Sequence, residues 1–362
     1  MIELSNKKVL IYAENAFGLD SRKKHAFRAK TADGVLRWAD YSIVGVVDST
    51  SKESNVSEVL NIRSDVPIFD SIQTAVKTNP AEVLLLGVAP EGGRFPALWR
   101  KDVIWSINNG LDIVSGMHYE LNKDEEFSLH AKKCGRKIWD VRVPPADLPV
   151  GSASAYHINP GNKIERPIIL TVSTDPAVGK LTASMAIVNG LKKRSDNPCF
   201  IPTGQTSIMI GGYGIAIDAC TGDFQAGALE KVLLEKAKDK NWTHFVVKGQ
   251  GSIYHPGYSN TTIAMIHGSV PTHMIMVHRP KRKHSIGSNL IKLPSLPDAI
   301  KMYENLVLPT YRGCKVVGIA LNTFGMSDKE AYNEIHKTEK ETGLPTTDVV
   351  RYESDIDKLL QF

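Results

Sequence analysis

The folds open to this chain are restricted most by a recurring unit: an apolar burst of strand length, a turn, then a stretch that reads as helix. Val9–Ala13 (VLIYA), Ile43–Val47 (IVGVV), Val83–Val88 (VLLLGV) and Asp112–Val114 form the first set. Each is short, rich in β-branched residues or Leu, and lacks polar alternation, as strands buried on both faces of a parallel sheet do. Helices are expected between them at Ser71–Lys77, Lys101–Asn109 and Tyr119–Cys134. This alternation predicts a doubly wound α/β first half. From Pro144 to Pro167 five prolines interrupt the pattern; proline removes backbone donors and biases its neighbours away from helix. We therefore expect one domain over residues 1–150, a linker over 151–166 and a second domain over 167–362. The second half restarts with Ile168–Val172, and further strands are expected at Phe245–Val247, Met274–Val277 and Val316–Leu321. Its expected helices are Lys180–Lys193, Phe224–Lys238, Ser327–Thr342 and Ser354–Leu360.

Length and composition agree with two domains. A chain of 362 residues, 42% apolar and 23% charged, buries a large core without metal or disulfide. Its formal charge of +5 suits an anionic small ligand and is too weak to indicate nucleic acid. Cys134, Cys199, Cys220 and Cys314 are widely spaced and form no CxxC pair, which disfavours a zinc ribbon or a disulfide framework. Charges interrupt the opening MIELSNKKVLIYAE, so no signal peptide is expected. The longest apolar runs fall far short of a membrane helix. A cytoplasmic protein with no membrane or nucleic-acid partner is the expectation; the sequence is silent on oligomeric state, and a homo-oligomer stays open.

The first domain reads as Rossmann-like but without a dinucleotide fingerprint. Its second strand ends in Asp48, where an acidic residue can bind ribose hydroxyls. The turn after the first strand, however, reads AENAFGLDS, with one glycine where GxGxxG needs three. The loop Ala89–Pro96 (APEGGRFP) follows the third expected strand, where open α/β sheets place ligands; a plain flexible loop is the equal alternative.

The second domain carries the strongest local signal, IILTVSTDPAVGKLTASMAI over residues 168–187. A buried strand, a loop, Gly179-Lys180 and a helix follow in the order a P-loop requires. Backbone N–H groups and a helix N-terminus cradle phosphate, and the lysine adds a positive charge. Thr174, Asp175, Ala177, Val178, Gly179, Lys180, Leu181 and Thr182 form the expected cradle. The leading glycine of GxxxxGK is missing, with Ser173 or Thr174 in its place. Leu181 stands where a hydroxyl would ligate Mg²⁺, and Lys248 stands where an NTPase carries an acidic metal-organising residue. An ammonium has no acceptor and cannot ligate a cation. A P-loop NTPase-like fold that holds phosphate without a metal is the expectation.

Three longer motifs carry a family resemblance: TDPAVGKLT; PTGQTSIMIGGYGIAIDACTGDFQAGALE (Pro202–Glu230); and VKGQGSIYHPGYSNTTIAMIHGSVPTHMIMVHRP (Val247–Pro280). With GGRFP and INNGLDIVSGMH (Ile107–His118) in the first half, they resemble a family once catalogued as a domain of unknown function. That family joins a Rossmann-like N-terminal domain to a P-loop-like C-terminal domain, both with mainly parallel sheets, and some of its members are D-glutamate N-acetyltransferases. The resemblance implies acetyl-coenzyme A as donor, D-glutamate as acceptor and no metal; the D configuration comes from the resemblance alone. Coenzyme A brings a diphosphate and a 3′-phosphate, and a dianionic amino acid needs cationic or N–H partners. Direct attack by the amine needs a base, and the thioester oxygen needs donors.

Several loops are candidates for those groups. Asp218 lies between Ile217 and Ala219, and reads either as a desolvated general base or as a helix N-cap. His255, in a turn-rich segment, has an imidazole suited to proton transfer near neutral pH, and a structural role is its alternative. Gln250, within Gly249-Gln250-Gly251, could assist an oxyanion site or only form a tight turn. Gln205, Lys248 and Arg279 are the expected substrate or coenzyme contacts. Arg279 opens the basic run His278–His284, which otherwise reads as a solvated turn. An ATP-dependent kinase or ligase, with metal ligands restored by Asp175 or Asp218, is the rival enzyme; a non-catalytic nucleotide-binding regulator is the rival from another class.

Overall fold

A computed structural model of the chain describes residues 1–17, 29–60, 62, 64–88, 90, 93–153, 164–307 and 313–362. Ala89, Glu91 and Gly92 of the Ala89–Pro96 loop lie outside these residues, as do most of the stretch expected as linker and the end of the AENAFGLDS turn. The described chain divides into two compact units. One comprises Met1–Pro144 with Gly204–Ala216, the other Pro145–Thr203 with Ile217–Phe362.

In the first unit, the strands are β1 (Lys8–Tyr12), β2 (Ser42–Val47), β3 (Ile68–Phe69), β4 (Val83–Leu86), β5 (Asp112–Ser115) and β6 (Ile138–Asp140). They form one sheet in the order β3-β2-β1-β4-β5-β6, with every pairing parallel. This is the Rossmann-like order. All four residues of β4 are buried, as its unbroken apolar run required. The helix Glu125–Cys134 begins at Asp124, whose carboxylate caps the N–H groups of Glu126 and Phe127, and ends at Gly135 in the left-handed region. The helix Gln205–Gly211 belongs here although its sequence lies in the second half. Thr206 meets Thr31 at 3.2 Å, and Tyr41 donates its hydroxyl to the Met209 carbonyl at 3.0 Å.

The second unit holds β7 (Ile168–Ser173), β8 (Pro198–Ile201), β9 (His244–Val247), β10 (His273–His278), β11 (Lys315–Leu321) and β12 (Thr346–Thr347). Its order is β12-β11-β10-β7-β9-β8, again parallel throughout. From β7 the chain proceeds towards β8, whereas from β10 it proceeds towards β11. The carboxyl ends of β7 and β10 therefore flank the topological switch point, where open α/β sheets bind ligands. The proline-rich stretch is docked where it is described: Ser152 gives its N–H and hydroxyl to the buried Glu230 carboxylate at 3.0 and 2.8 Å. Among the described residues, no helix is long and apolar enough to cross a membrane.

Candidate functional site

In the first unit, Asp48 shows why a nicotinamide reading finds no support. Its buried carboxylate accepts the N–H groups of Asn15, Ala16 and Phe17 at 2.5–3.2 Å, and both the N–H and hydroxyl of Thr50 at 2.9 and 2.7 Å. The group that would bind ribose instead ties the β1 turn to the β2 turn. Gln205 is also in this unit, where its side-chain oxygen accepts from the buried Arg142 at 3.1 Å.

In the second unit, β7 runs directly into the loop Thr174–Gly179 and the helix Lys180–Lys193. Gly179 has φ of +116°, a conformation that disfavours a side chain, and no side chain caps the helix it opens. The loop carbonyls are taken up by the scaffold. Ser173 Oγ donates to the Asp175 carbonyl at 2.9 Å, Arg282 to that of Pro176 at 2.8 Å, and Asn322 Nδ2 to that of Val178 at 2.9 Å. With carbonyls so engaged and the helix start uncapped, the loop offers N–H groups and the positive end of a helix dipole to an anion.

Lys180 begins that helix and is 8% exposed. Its ammonium donates to Ser173 Oγ at 2.6 Å, to the Gly251 carbonyl at 2.7 Å and to the Asp175 carbonyl at 3.4 Å. The lysine thus fastens the phosphate loop to the loop after β9. Between them Gly249 passes so close to β7 that a Cβ would lie 1.7 Å from the Thr171 carbonyl oxygen. Its N–H donates to Thr171 Oγ1 at 2.8 Å, and is therefore not available to a thioester oxygen.

Asp175 is fully buried and serves as a structural latch. Arg282 donates to it at 2.7 Å, Ser285 Oγ at 2.7 Å and the Ile286 N–H at 3.0 Å. A carboxylate so engaged neither contacts phosphate nor offers itself to Mg²⁺. Thr174 pairs with His278 Nδ1 at 2.8 Å, and burial pushes that imidazole down to about 4, so it stays neutral. Buried Tyr303 gives its hydroxyl to the Ser173 carbonyl at 2.7 Å and accepts the Ile253 N–H at 3.3 Å; burial pushes its phenol up to about 12. Leu181 and Thr182 are half-buried in the first helical turn.

Of the remaining candidates, Gln250 and Lys248 share Thr203 as a partner, and His255 meets Ile286, whose N–H donates to Asp175. Asp218 sits exposed on the turn Ile217–Ala219, so it lacks the desolvation its apolar neighbours suggested. His255 Nδ1 accepts the Gly257 N–H at 3.1 Å, its Nε2 faces the Ile286 carbonyl at 3.3 Å, and its ring stacks on Tyr258. Gln250 donates to the Thr203 carbonyl, and its own carbonyl accepts the Thr262 hydroxyl at 2.9 Å. Half-buried Lys248 has its backbone tied to the end of β8, where its carbonyl accepts Thr203 Oγ1 at 2.5 Å. Arg279 lies 6.0 Å from the ring centroid of Phe324. Among the described residues, no cluster of three His, Cys, Asp or Glu side chains could hold a metal.

Arg282, Ser285, Tyr303 and Asn322 shape this loop without having been singled out as candidates. Arg282 had a visible signal, since it belongs to the basic run His278–His284. That run is not uniformly solvated: His278 and Arg282 turn to the loop, whereas Lys281 pairs with Glu330 at the surface.

Comparison with known proteins agrees with both units. The family description "Domain of unknown function (DUF1611_C) P-loop domain" matches residues 150–360, and its Rossmann-like companion (DUF1611_N) matches residues 49–144. A protein of Tritonibacter scottomollicae named D-glutamate N-acetyltransferase is 31% identical over 90% of this chain and 91% of its own length. A Pseudoalteromonas protein of the same name is 30% identical over 75% and 78%. The crystal structure of a DUF1611 family protein from Anabaena variabilis is 34% identical, covers 99% of this chain and 100% of its own, and superposes with a TM-score of 0.88. Parallel sheets, an uncapped lysine-led helix after β7 and these relatives agree: the chain belongs to the DUF1611 family.

Proposed function

We propose that the chain is an N-acetyltransferase that moves an acetyl group from acetyl-coenzyme A to the amine of D-glutamate. The observation that carries this reading is the name shared by the two relatives, one of which aligns over 90% of the chain. The second unit supplies a compatible chemistry. The Val178–Thr182 segment and Lys180 suit a coenzyme phosphate. Leu181, Lys248 and the Arg282-bound Asp175 leave this loop without the hydroxyl and carboxylate that would organise Mg²⁺ for nucleotide cleavage.

In the proposed reaction the amine of the acceptor, once deprotonated, attacks the thioester carbonyl. The C–N bond forms, the C–S bond breaks and coenzyme A leaves as the thiol. Asp218 and His255 are the two candidate proton acceptors: Asp218 lies exposed on its turn, and His255 Nδ1 accepts a backbone N–H. The test is thiol release from acetyl-coenzyme A with D- and L-glutamate offered separately, with and without EDTA. Release that depends on D-glutamate and survives EDTA supports the reading. Absence of release together with Mg²⁺-dependent ATP turnover would replace it with a kinase or ligase.

A further inference from the structure

We propose that the exposed ring of Phe324, with the Arg279 guanidinium beside it, is the seat for the adenine of the coenzyme whose phosphates the loop holds; this rests on the donor reading above. Phe324 follows β11 and is 78% exposed. One exposed apolar side chain is ordinary on a protein surface; its attachment to the phosphate loop is not. The Phe324 N–H donates to Asn322 Oδ1 at 3.1 Å, and Asn322 Nδ2 holds the Val178 carbonyl at 2.9 Å. On the other side, Asn322 N–H donates to the His278 carbonyl at 2.8 Å, and His278 in turn pairs with Thr174. Phe324 and Arg279 are thus each one or two residues beyond a side chain that grips the loop, from the two strands that continue the sheet past the switch point.

The turn that presents the ring is anchored. Buried Thr323 donates both its N–H, at 3.0 Å, and its hydroxyl to the Asp348 carboxylate, and Arg351 Nε donates to Thr323 Oγ1 at 3.2 Å. A large apolar ring is therefore held in water by a fixed backbone, with a cation 6.0 Å from its centroid. A purine offers the flat face such a ring accepts without regard to hydrogen-bond pattern, and alanine removal of such a stack weakens binding about ten- to a hundredfold. The guanidinium suits the 3′-phosphate that distinguishes coenzyme A from its dephospho form.

The experiment compares wild type, Phe324→Ala, Phe324→Trp and Arg279→Ala by calorimetric titration. The probes are acetyl-coenzyme A, 3′-dephospho-acetyl-coenzyme A, acetyl-4′-phosphopantetheine and ADP. Phe324→Ala should lose about ten- to a hundredfold in affinity for acetyl-coenzyme A and nothing for acetyl-4′-phosphopantetheine, which has no base; Phe324→Trp should restore binding. Arg279→Ala should narrow the preference for the 3′-phosphorylated form. Unchanged acetyl-coenzyme A affinity in Phe324→Ala, or an equal loss for acetyl-4′-phosphopantetheine, overturns the adenine seat while leaving the donor reading intact. Wild-type binding of ADP that depends on Phe324, without any binding of acetyl-coenzyme A, keeps the seat and overturns the donor. Failure to bind either ligand overturns both.

Discussion

The Lys180 ammonium lies 2.7 Å from the Gly251 carbonyl oxygen, so the residue expected to receive phosphate also joins the two loops that would surround it. The same ammonium is 2.6 Å from Ser173 Oγ, just before Thr174, which stands where the GxxxxGK spacing puts glycine. The Ser173 hydroxyl gives the lysine an acceptor within its own loop. Ligand binding then means exchanging one internal partner for a phosphate oxygen while the others persist.

Lys180→Ala is therefore expected to show two losses. Coenzyme affinity should fall by roughly 1.5–3 kcal/mol, the scale of a charge-assisted hydrogen bond. Stability should fall by about 1–3 kcal/mol as well, because the Gly251 carbonyl loses its ammonium partner in a largely buried setting. Titration calorimetry and urea denaturation of the same variant separate the two. An affinity loss without a stability loss would mean that the Gly251 contact contributes nothing.

Arg282 and Asp175 make a second testable pair, with Arg282 17% and Asp175 0% exposed in their side chains. Removing one member of a buried ion pair leaves an uncompensated charge, typically at a cost of about 3–5 kcal/mol. Arg282→Ala should fall at the lower end, since Ser285 and Ile286 still donate to the carboxylate. Arg282→Lys should be intermediate: an ammonium can reach Asp175 but does not reproduce the fork that also serves the Pro176 carbonyl. Chemical denaturation checks the order wild type, Lys, Ala; an alanine variant as stable as wild type would show that the latch is dispensable.

The long buried strands were legible because burial on both faces leaves an unbroken apolar run. Val83–Val88 and Ile168–Val172 each matched a strand within two residues. The helix Lys180–Lys193 was legible from the Gly-Lys that follows a buried strand and a loop. The two-residue edge strands β3 and β12 carry too few residues for any period to register. The helix Gln205–Gly211 is seven residues long, and nothing in its local sequence shows that it packs with the first unit. At the site, the loop was legible as a linear motif, whereas the partners of its side chains were not. Arg282 is 107 residues from Asp175 and Tyr303 is 130 from Ser173, and only the sheet order brings them together. Asp218 illustrates the opposite error: apolar neighbours in sequence, Ile217 buried beside it, and yet an exposed carboxylate.

The proposed independence of metal gives a direct expectation. Adding EDTA should leave both coenzyme affinity and acetyl transfer within about twofold of their untreated values, because Leu181 and Lys248 take positions where Mg²⁺ ligands are expected and Asp175 is bound by Arg282. Parallel assays with added Mg²⁺ check it. A tenfold or greater loss on chelation would require ligands from elsewhere in the chain.

His278 connects the loop to pH. Burial holds its imidazole down at about 4 against an ordinary value of 6.5, with the Glu334 carboxylate opposing and Lys337 and Arg282 adding to the depression. The unfolded chain therefore takes up a proton as pH falls below about 6.5, whereas the folded chain resists until about 4. Stability is then fully present above pH 6.5 and declines as pH falls from there to 4, by about 3 kcal/mol in all for this one group. His278→Gln keeps a neutral hydrogen-bonding side chain beside Thr174 and removes the titration. The expected result is a wild-type stability curve that drops between pH 6.5 and 4 more steeply than that of the glutamine variant. Because the folded imidazole beside Thr174 Oγ1 stays neutral until about pH 4, coenzyme affinity should not change through His278 between pH 6.5 and 5 in either protein. Parallel curves for the two proteins, measured by chemical denaturation at half-unit steps, would show that His278 stays neutral in both states or charged in both, and that the buried pairing with Thr174 does not govern the acid limb.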